Sequence, residues 1–408
     1  MRTRSLIMIE GAPWRCCQLY IQSAKRLGLH PIILSADPIC GEYIVTEGTE
    51  VIHVDTSNTD ALIRELSRIL VTYDIAGVTG RSRFYTTVGK LCRHFDLAGP
   101  NPESIERCRE KFTQRQLLAQ AGVPMPAYQL ATNAKEVERS AAAIGLPVIL
   151  KPTVGGGSVG VRLCRNFDEV AEHTRYLLDG KYIWPLSPRI LVEEFAQGPY
   201  YTVDILGTEV VGIGSGDFGP PPQFVYRQFT YPALLNDEEH NRIAEVSLSC
   251  LRALDLGWGP TNIEFRWTKD GPVVIEVNPR MGGTPDPQLV RLAYGVDLIT
   301  EHIKLVVGDE CDLCRTHSHT AAARFLVADR DGTLDWIGGD SPARAVSGVA
   351  EVEFYVPPKT PIVRQGDFQD TIGHVIVASP SYAQTEATLQ HAVDLIDWSI
   401  TPFPTPDE

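Results

Sequence analysis

The sequence predicts a multidomain α/β protein, α+β in its overall layout, with a small parallel-sheet domain first and a β-rich lobe last. Three observations carry that prediction. The chain has 408 residues, too many for one ordinary core of roughly 100 to 200 residues. Short apolar runs alternate with helix-period stretches up to about residue 105, the βαβ rhythm of a parallel sheet. From about residue 315 strand-like runs crowd together instead.

The elements follow in order. "LIMIEG", "HPIILSAD" and "DIAGVTG" are strands, with helices over "RCCQLYIQSAKRLG" and "TDALIRELSRILVTY", so residues 1–105 form the first domain. Pro102 and Glu103 then open one helix that runs through "REKFTQRQLLAQ" to the Gly and Pro of "AGVP". "AKEVERSAAAIG" is helical and "PVILKP" a strand, and with the glycine loop that follows they fill a small subdomain, 106–190. A larger subdomain, 191–314, takes in the rest of "ILVEEFA", then "YYTVDILG" and "EVVGIGSG" as strands, "DEEHNRIAEVSLSCLRALDL" as helix, a hairpin over 262–283, and helices in "PQLVRLAYG" and "DLITEHIKLVVG". In the last lobe, 315–408, strands in "TAAARFLVADRDG", "GVAEVEFYV" and "IGHVIVASPS" precede a closing helix, "TEATLQHAVDLIDWSI".

Composition narrows the class. Apolar residues make up 43% and charged residues 22%, globular values, and no apolar run approaches the roughly 20 residues that span a bilayer. The formal charge of −14 comes without clustered Lys or Arg, which argues against a nucleic-acid partner. A small anionic ligand held by a few local cations is still compatible. The first apolar burst ends at Glu10, too short for a signal-peptide core, so a cytoplasmic location is expected. Nine scattered cysteines (Cys16, Cys17, Cys40, Cys92, Cys108, Cys164, Cys250, Cys311 and Cys314) read as reduced thiols. Cys311, Cys314, His317 and His319 lack the spacer of a zinc site and are expected to be linker residues.

"VILKPTVGGGSVGVRLC" holds Gly155, Gly157 and Gly160 in dinucleotide-fingerprint spacing, but that fingerprint needs a helix after the loop. Here Val159, Val161 and Leu163 alternate like a second strand. The stretch Gly156, Gly157, Ser158 and Val159 is therefore expected in a flap, its backbone N–H groups and the Ser158 hydroxyl closing over phosphate oxygens. A surface hairpin with glycines serving turn geometry alone is the competing reading. No Gly-Lys-Ser/Thr follows, which excludes a Walker A loop, and Lys151 precedes the glycines, which excludes a protein kinase despite "DFG" at 217–219. Lys151 ends an apolar strand, where an uncompensated charge would cost several kcal/mol and a phosphate would resolve it. Taken alone, Lys111 reads as a solvated helix residue.

"NIEFRWTKDGPVVIEVNPRMGG" places Glu264, Glu276 and Asn278 among apolar residues. A three-residue loop of Lys269, Asp270 and Gly271 would make Glu264 face Glu276, with Asn278 on the same side. Facing carboxylates about 5 Å apart repel, and a divalent cation reverses that sign. These hard oxygen ligands select Mg²⁺ or Mn²⁺ over zinc. An exposed polar hairpin face is the alternative. Arg280, just past the strand, offers a guanidinium to a γ-phosphate or a developing oxyanion.

In this order, over roughly residues 100 to 310, the motifs resemble those of the ATP-grasp ligases: the helix Lys of "REKFTQRQ", "VILKP", "GGGSVGV", "ILVEEF" and "NIEF...VIEVNPRMGG". The flanking regions resemble the carboxylate-amine ligases, above all bacterial L-amino-acid ligases of the bacilysin-synthetase kind. The resemblance implies an ATP-grasp fold with a Rossmann-like N-terminal domain. It implies ATP phosphates at Lys111 and Lys151, adenine at Glu193, Glu194 and Phe195, two Mg²⁺ ions (or Mn²⁺) at Glu264, Glu276 and Asn278, and Arg280 beside the transferred phosphoryl group. The implied chemistry is an ADP-forming ligation of a small carboxylate to an amine through an acyl phosphate, as in dipeptide synthesis for secondary metabolism. Relatives are often dimers, so a homodimer is expected too.

Two departures from the family pattern stand out. Tyr200 or Tyr201 occupies the place of an acidic ribose contact, leaving Asp204 as the expected substitute. Tyr226 and Arg227 stand where relatives carry an acid for a substrate α-amine, so the first substrate is expected to be an unusual amino acid or another carboxylate. Tyr226, Arg227, Gly282 and Gly283 are the expected substrate contacts. A biotin- or purine-type carboxylase using bicarbonate, and a non-catalytic ATP-binding regulator, are the competing functions.

Overall fold

A computed structural model describes residues 2–10, 15–37, 49–80, 82–179 and 188–404. Four parallel strands, β1 (Thr3–Glu10), β2 (His30–Ser35), β3 (Glu50–His53) and β4 (Tyr73–Gly80), form the first sheet in the order β3-β2-β1-β4. Its central strand is apolar on both faces because both faces are covered. Leu6 and Met8 pack with Tyr20 and Ile21 of one helix, while Ile7 and Ile9 pack with Leu62 and Leu66 of another.

A second sheet has the order β5-β8-β6-β7, from β5 (Tyr128–Ala131), β6 (Val148–Pro152), β7 (Arg162–Cys164) and β8 (Ile190–Glu194). The third has eight strands, all antiparallel: β9 (Tyr200–Leu206), β10 (Glu209–Phe218), β11 (Tyr226–Tyr231), β12 (Pro260–Thr268), β13 (Gly271–Asn278), β14 (Thr320–Val327), β16 (Val349–Phe354) and β18 (Thr371–Ser379). Their order is β13-β12-β9-β10-β11-β14-β18-β16, so the sheet that carries the carboxylate hairpin continues into the last lobe. A small sheet, β17-β15-β19, completes that lobe, with β15 at Gly332–Gly338, β17 at Pro361–Ile362 and β19 at Asp397–Thr401.

Three local expectations are corrected and one strand is added. The helix opening at Pro102 breaks into Pro102–Arg109 and Lys111–Gln120, because Glu110 takes an extended conformation and its side chain caps the second helix through the Thr113 N–H. The closing helix stops at Asp394, and "WSI" turns into β19, where Ile400 pairs with Leu334. β7 begins at Arg162, so Val159 and Val161 belong to the loop. Strand β11 arises from a segment that carries no strand expectation, with Tyr226, Gln228 and Thr230 alternating along it. No helix among the described residues is long and apolar enough to cross a membrane.

Candidate functional site

The hairpin brings Glu264 opposite Glu276, but by a different route from the one expected. Thr268 pairs with Gly271, so Lys269 and Asp270 alone form the loop, and Gly271 takes a φ of +111°. An unbroken register would then set Glu264 against Ile275. Instead the pairing shifts between Phe265, opposite Val274, and Glu264, opposite Glu276. Ile275 is the extra residue of a β-bulge, and the bulge restores the carboxylate pair. Asn278 joins them, its Nδ2 donating to Glu264 Oε1 at 3.4 Å.

The two carboxyls have unlike environments. Burial, then the charge of Glu276, pushes Glu264 up to about 7. Burial acts the same way on Glu276, but Lys111 and Lys151 outweigh it and hold that carboxyl below its ordinary value. Lys111 Nζ lies 2.8 Å from Glu276 Oε1 and donates to the Gly155 carbonyl at 2.7 Å. Its own N–H donates to Thr153 O at 2.8 Å, which fastens the start of the Lys111–Gln120 helix to the end of β6. Lys111 is thereby fixed over the hairpin and is no solvated surface residue.

Lys151 does not wait for a phosphate to be compensated, which corrects the expectation for it. Its Nζ contacts Glu193 Oε2, and Arg115 Nε lies 2.6 Å from Glu193 Oε1. Burial penalises the Glu193 charge, yet Arg115 and Lys151 together hold the carboxyl down to about 2. Burial also lowers Lys151, with Glu193 opposing. The Glu193 carboxylate is thus a clamp on two cations. Glu194 and Phe195 have no such tie to these cations and line the same cavity.

Sequence reasoning missed Arg115 and Gln114. Arg115 also donates to the Ile275 carbonyl, the bulge residue. Gln114 donates to Val277 O at 2.8 Å and accepts from Val277 N at 2.9 Å, pairing with the outer edge of β13 as another strand would. Their spacing from Lys111 puts all three on one helix face, the signal that could have found them.

Two cavities meet at the hairpin. Lys111, Lys151, Gly156, Gly157, Ser158, Val159, Glu193, Glu194, Phe195, Glu264 and Glu276 line the first, together with the aromatic rings of Phe218 and Phe224. Arg280, Gly282, Gly283, Thr202 and Asp286 line the second, of about 720 Å³, with Tyr20 and Tyr85 from the first domain and Glu353 and Tyr355 from the last lobe. Glu264, Tyr200 and Tyr226 border both.

Two expected contacts lie elsewhere. Asp204 lines neither cavity: it is buried, accepts from Tyr231 Oη at 2.6 Å and Asn262 Nδ2 at 3.1 Å, and sits below Gly282. Arg227 is exposed and lines neither cavity, because successive strand residues face opposite ways and its neighbour Tyr226 takes the inward position. Asp286, not singled out from the sequence, does face the second cavity, and burial followed by Asp204 pushes its carboxyl well up.

The thiols behave as expected where described: Cys17, Cys92, Cys108, Cys164, Cys250, Cys311 and Cys314 are free, whereas Cys40 and the Cys16 side chain fall outside the described residues. Cys311 Sγ turns to Glu301 O and His317 Nε2 to Leu292 O, so these residues do not converge on a zinc position.

Glu264, Glu276 and Asn278 suit a hard divalent cation. All three offer oxygen, and burial together with the facing Glu276 raises the Glu264 carboxyl, a cost that such an ion would offset.

Residues 144–287 match the model of the ATP-grasp domain, and residues 324–401 match that of the L-amino acid ligase C-terminal domain 2. The protein y4rH of Sinorhizobium fredii is 58% identical over 401 residues, 98% of this chain and 84% of that protein. Human carnosine synthase 1 is 29% identical over 325 residues, 74% of this chain but only 39% of that protein. In fold, the chain superposes on the crystal structure of L-amino acid ligase from Bacillus licheniformis with a TM-score of 0.82, at 20% identity, covering 98% of this chain and 100% of that one.

Proposed function

From the premise that this chain belongs to the ATP-grasp family of carboxylate-amine ligases, we propose that it joins a small carboxylic acid, an amino acid or a close analogue, to an amine at the expense of ATP. The observation that carries the reading is the meeting of two cavities at Glu264: one lined by lysines and the glycine loop, the other by Arg280. ATP fits the first. Lys111 and Lys151 would meet its phosphates, and Glu194 and Phe195 its base, while Glu193 holds Lys151 in place.

Glu264, Glu276 and Asn278 would hold Mg²⁺, two ions in the family pattern, which when bound offsets charge on the transferred phosphoryl group. A substrate carboxylate in the second cavity would lie beside Arg280. Its oxygen attacks the γ-phosphorus, the bond to ADP breaks, and an acyl phosphate results. An amine then attacks the carbonyl carbon, Arg280 stabilises the tetrahedral oxyanion, and phosphate leaves. The product is an amide or dipeptide, in keeping with a role in secondary metabolism.

Mass spectrometry of products from a matrix of carboxylates and amines with ATP and Mg²⁺ tests the reading. An amide formed in step with ADP is expected. ADP release that needs bicarbonate and yields no amide would overturn it.

A further inference from the structure

An amine substrate reaches a neutral solution largely as an ammonium ion, without the lone pair that attacks carbon. Something must take its proton. Around the reacting centre Lys111, Lys151 and Arg280 are basic side chains, Glu264 and Glu276 face the metal position, and Asp286 is turned toward Asp204, with burial and then Asp204 raising its carboxyl. The far wall of the second cavity is different. There Glu353 and Tyr355 face the cavity, and behind them His374, fully buried, pairs across the strands with Glu353. Tyr355 Oη lies 2.7 Å from His374 Nδ1. On the ring's other side His374 Nε2 lies 3.2 Å from Glu351 Oε1, and Glu351 Oε2 accepts from Gln288 at 2.9 Å.

Resting on the ligase reading above, we propose that Tyr355 and His374 form a proton relay that deprotonates the incoming amine, with the Glu351 carboxylate beside the ring as a counter-charge. Glu353 holds the ammonium at the cavity wall as its counter-charge. The ammonium gives one proton to Tyr355 Oη while the tyrosine's own proton passes to His374 Nδ1, so the tyrosine ends unchanged, the imidazole becomes imidazolium and the amine gains its lone pair. That pair forms the C–N bond as the C–O bond to phosphate breaks, and the nitrogen's second proton leaves with the phosphate. Glu351, Glu353 and His374 each bring an atom within 4.8 Å of the others, so the imidazolium forms between two carboxylates. The register partner of His374 on the neighbouring strand β14 is the apolar Phe325. Tyr355 touches the substrate; His374 and Glu351 act through it.

Hydroxylamine separates this role from a structural one, because it is unprotonated at neutral pH and traps an acyl phosphate as a hydroxamate without help from a base. With wild-type protein, ATP and Mg²⁺, both amide and hydroxamate are expected. In Tyr355→Phe and His374→Gln the amide rate should fall by about 100-fold or more, while the hydroxamate rate stays within about twofold. Tyr355→Phe removes one oxygen and keeps the ring, which guards against loss of the buried histidine's packing. Equal loss of both products in Tyr355→Phe, or an unchanged amide rate, would overturn the relay. A wild-type protein that makes no hydroxamate with any carboxylate would overturn the ligase reading itself, a distinct result.

Discussion

Glu264 and Glu276 are the same residue type in facing positions, yet Lys111 favours the charge of one and burial disfavours the charge of the other. A carboxyl raised to about 7 carries its proton below that pH, and Mg²⁺ must displace it. Apparent Mg²⁺ affinity is therefore expected to rise with pH between about 6 and 8 and then level off, with proton release on binding that fades above pH 8; titration calorimetry in buffers of different ionisation enthalpy measures it. An affinity flat across that range would contradict the assignment. The clamp behaves differently. Glu193→Gln leaves Arg115 and Lys151 buried against a neutral partner and should cost about 3 to 5 kcal/mol in urea unfolding. Glu276→Gln, at a more exposed pair, should abolish ADP formation with little loss of stability. The lysines and the acidic hairpin were legible because each sits in a short motif. Arg115 and Gln114 were not, since Arg115 meets Glu193 78 residues away and Gln114 meets Val277 163 residues away. Asp204 and Arg227 were misplaced because a sequence shows which residues alternate along a strand but not which side is the cavity.

Between elements, the active geometry depends on how one helix meets one hairpin. The rhythm of apolar residues located both, and it failed at their edges. The break at Glu110 was hidden because a glutamate also suits a helix, and the bulge at Ile275 because a β-branched residue also suits a regular strand. The join is Gln114, which satisfies the Val277 N–H and carbonyl on the open edge of β13. Gln114→Ala strands both groups in a buried place and should destabilise the protein by about 2 to 4 kcal/mol. It should also slow ADP formation, because the same helix carries Lys111. Full stability in that variant, measured by thermal unfolding, would show that the edge is satisfied in another way.

Across the whole molecule, the eight-stranded sheet runs from the carboxylate hairpin to the wall that carries Glu353, and the second cavity lies between residues from four regions of the chain, the glycine loop among them. The sequence showed the parallel first domain and the β-rich last lobe as separate patterns. It could not show that the lobe's strands extend the hairpin's sheet, because strand order is set by pairing between distant segments. The glycine loop also reaches that lobe: Phe368 N donates to Gly157 O at 3.2 Å, and a Cβ on Gly157 would come within 2.5 Å of the Phe368 ring. Gly157 has a φ of +66°, so Gly157→Ala meets both strain and a clash. A fall in kcat of roughly tenfold, equivalent to about 1.4 kcal/mol at the barrier, is expected together with a lowered unfolding temperature.

The most direct measurement follows oxygen. With a substrate acid labelled with ¹⁸O in its carboxylate, the account predicts one labelled oxygen in the released phosphate for each amide formed. Amide formed alongside unlabelled phosphate would contradict it.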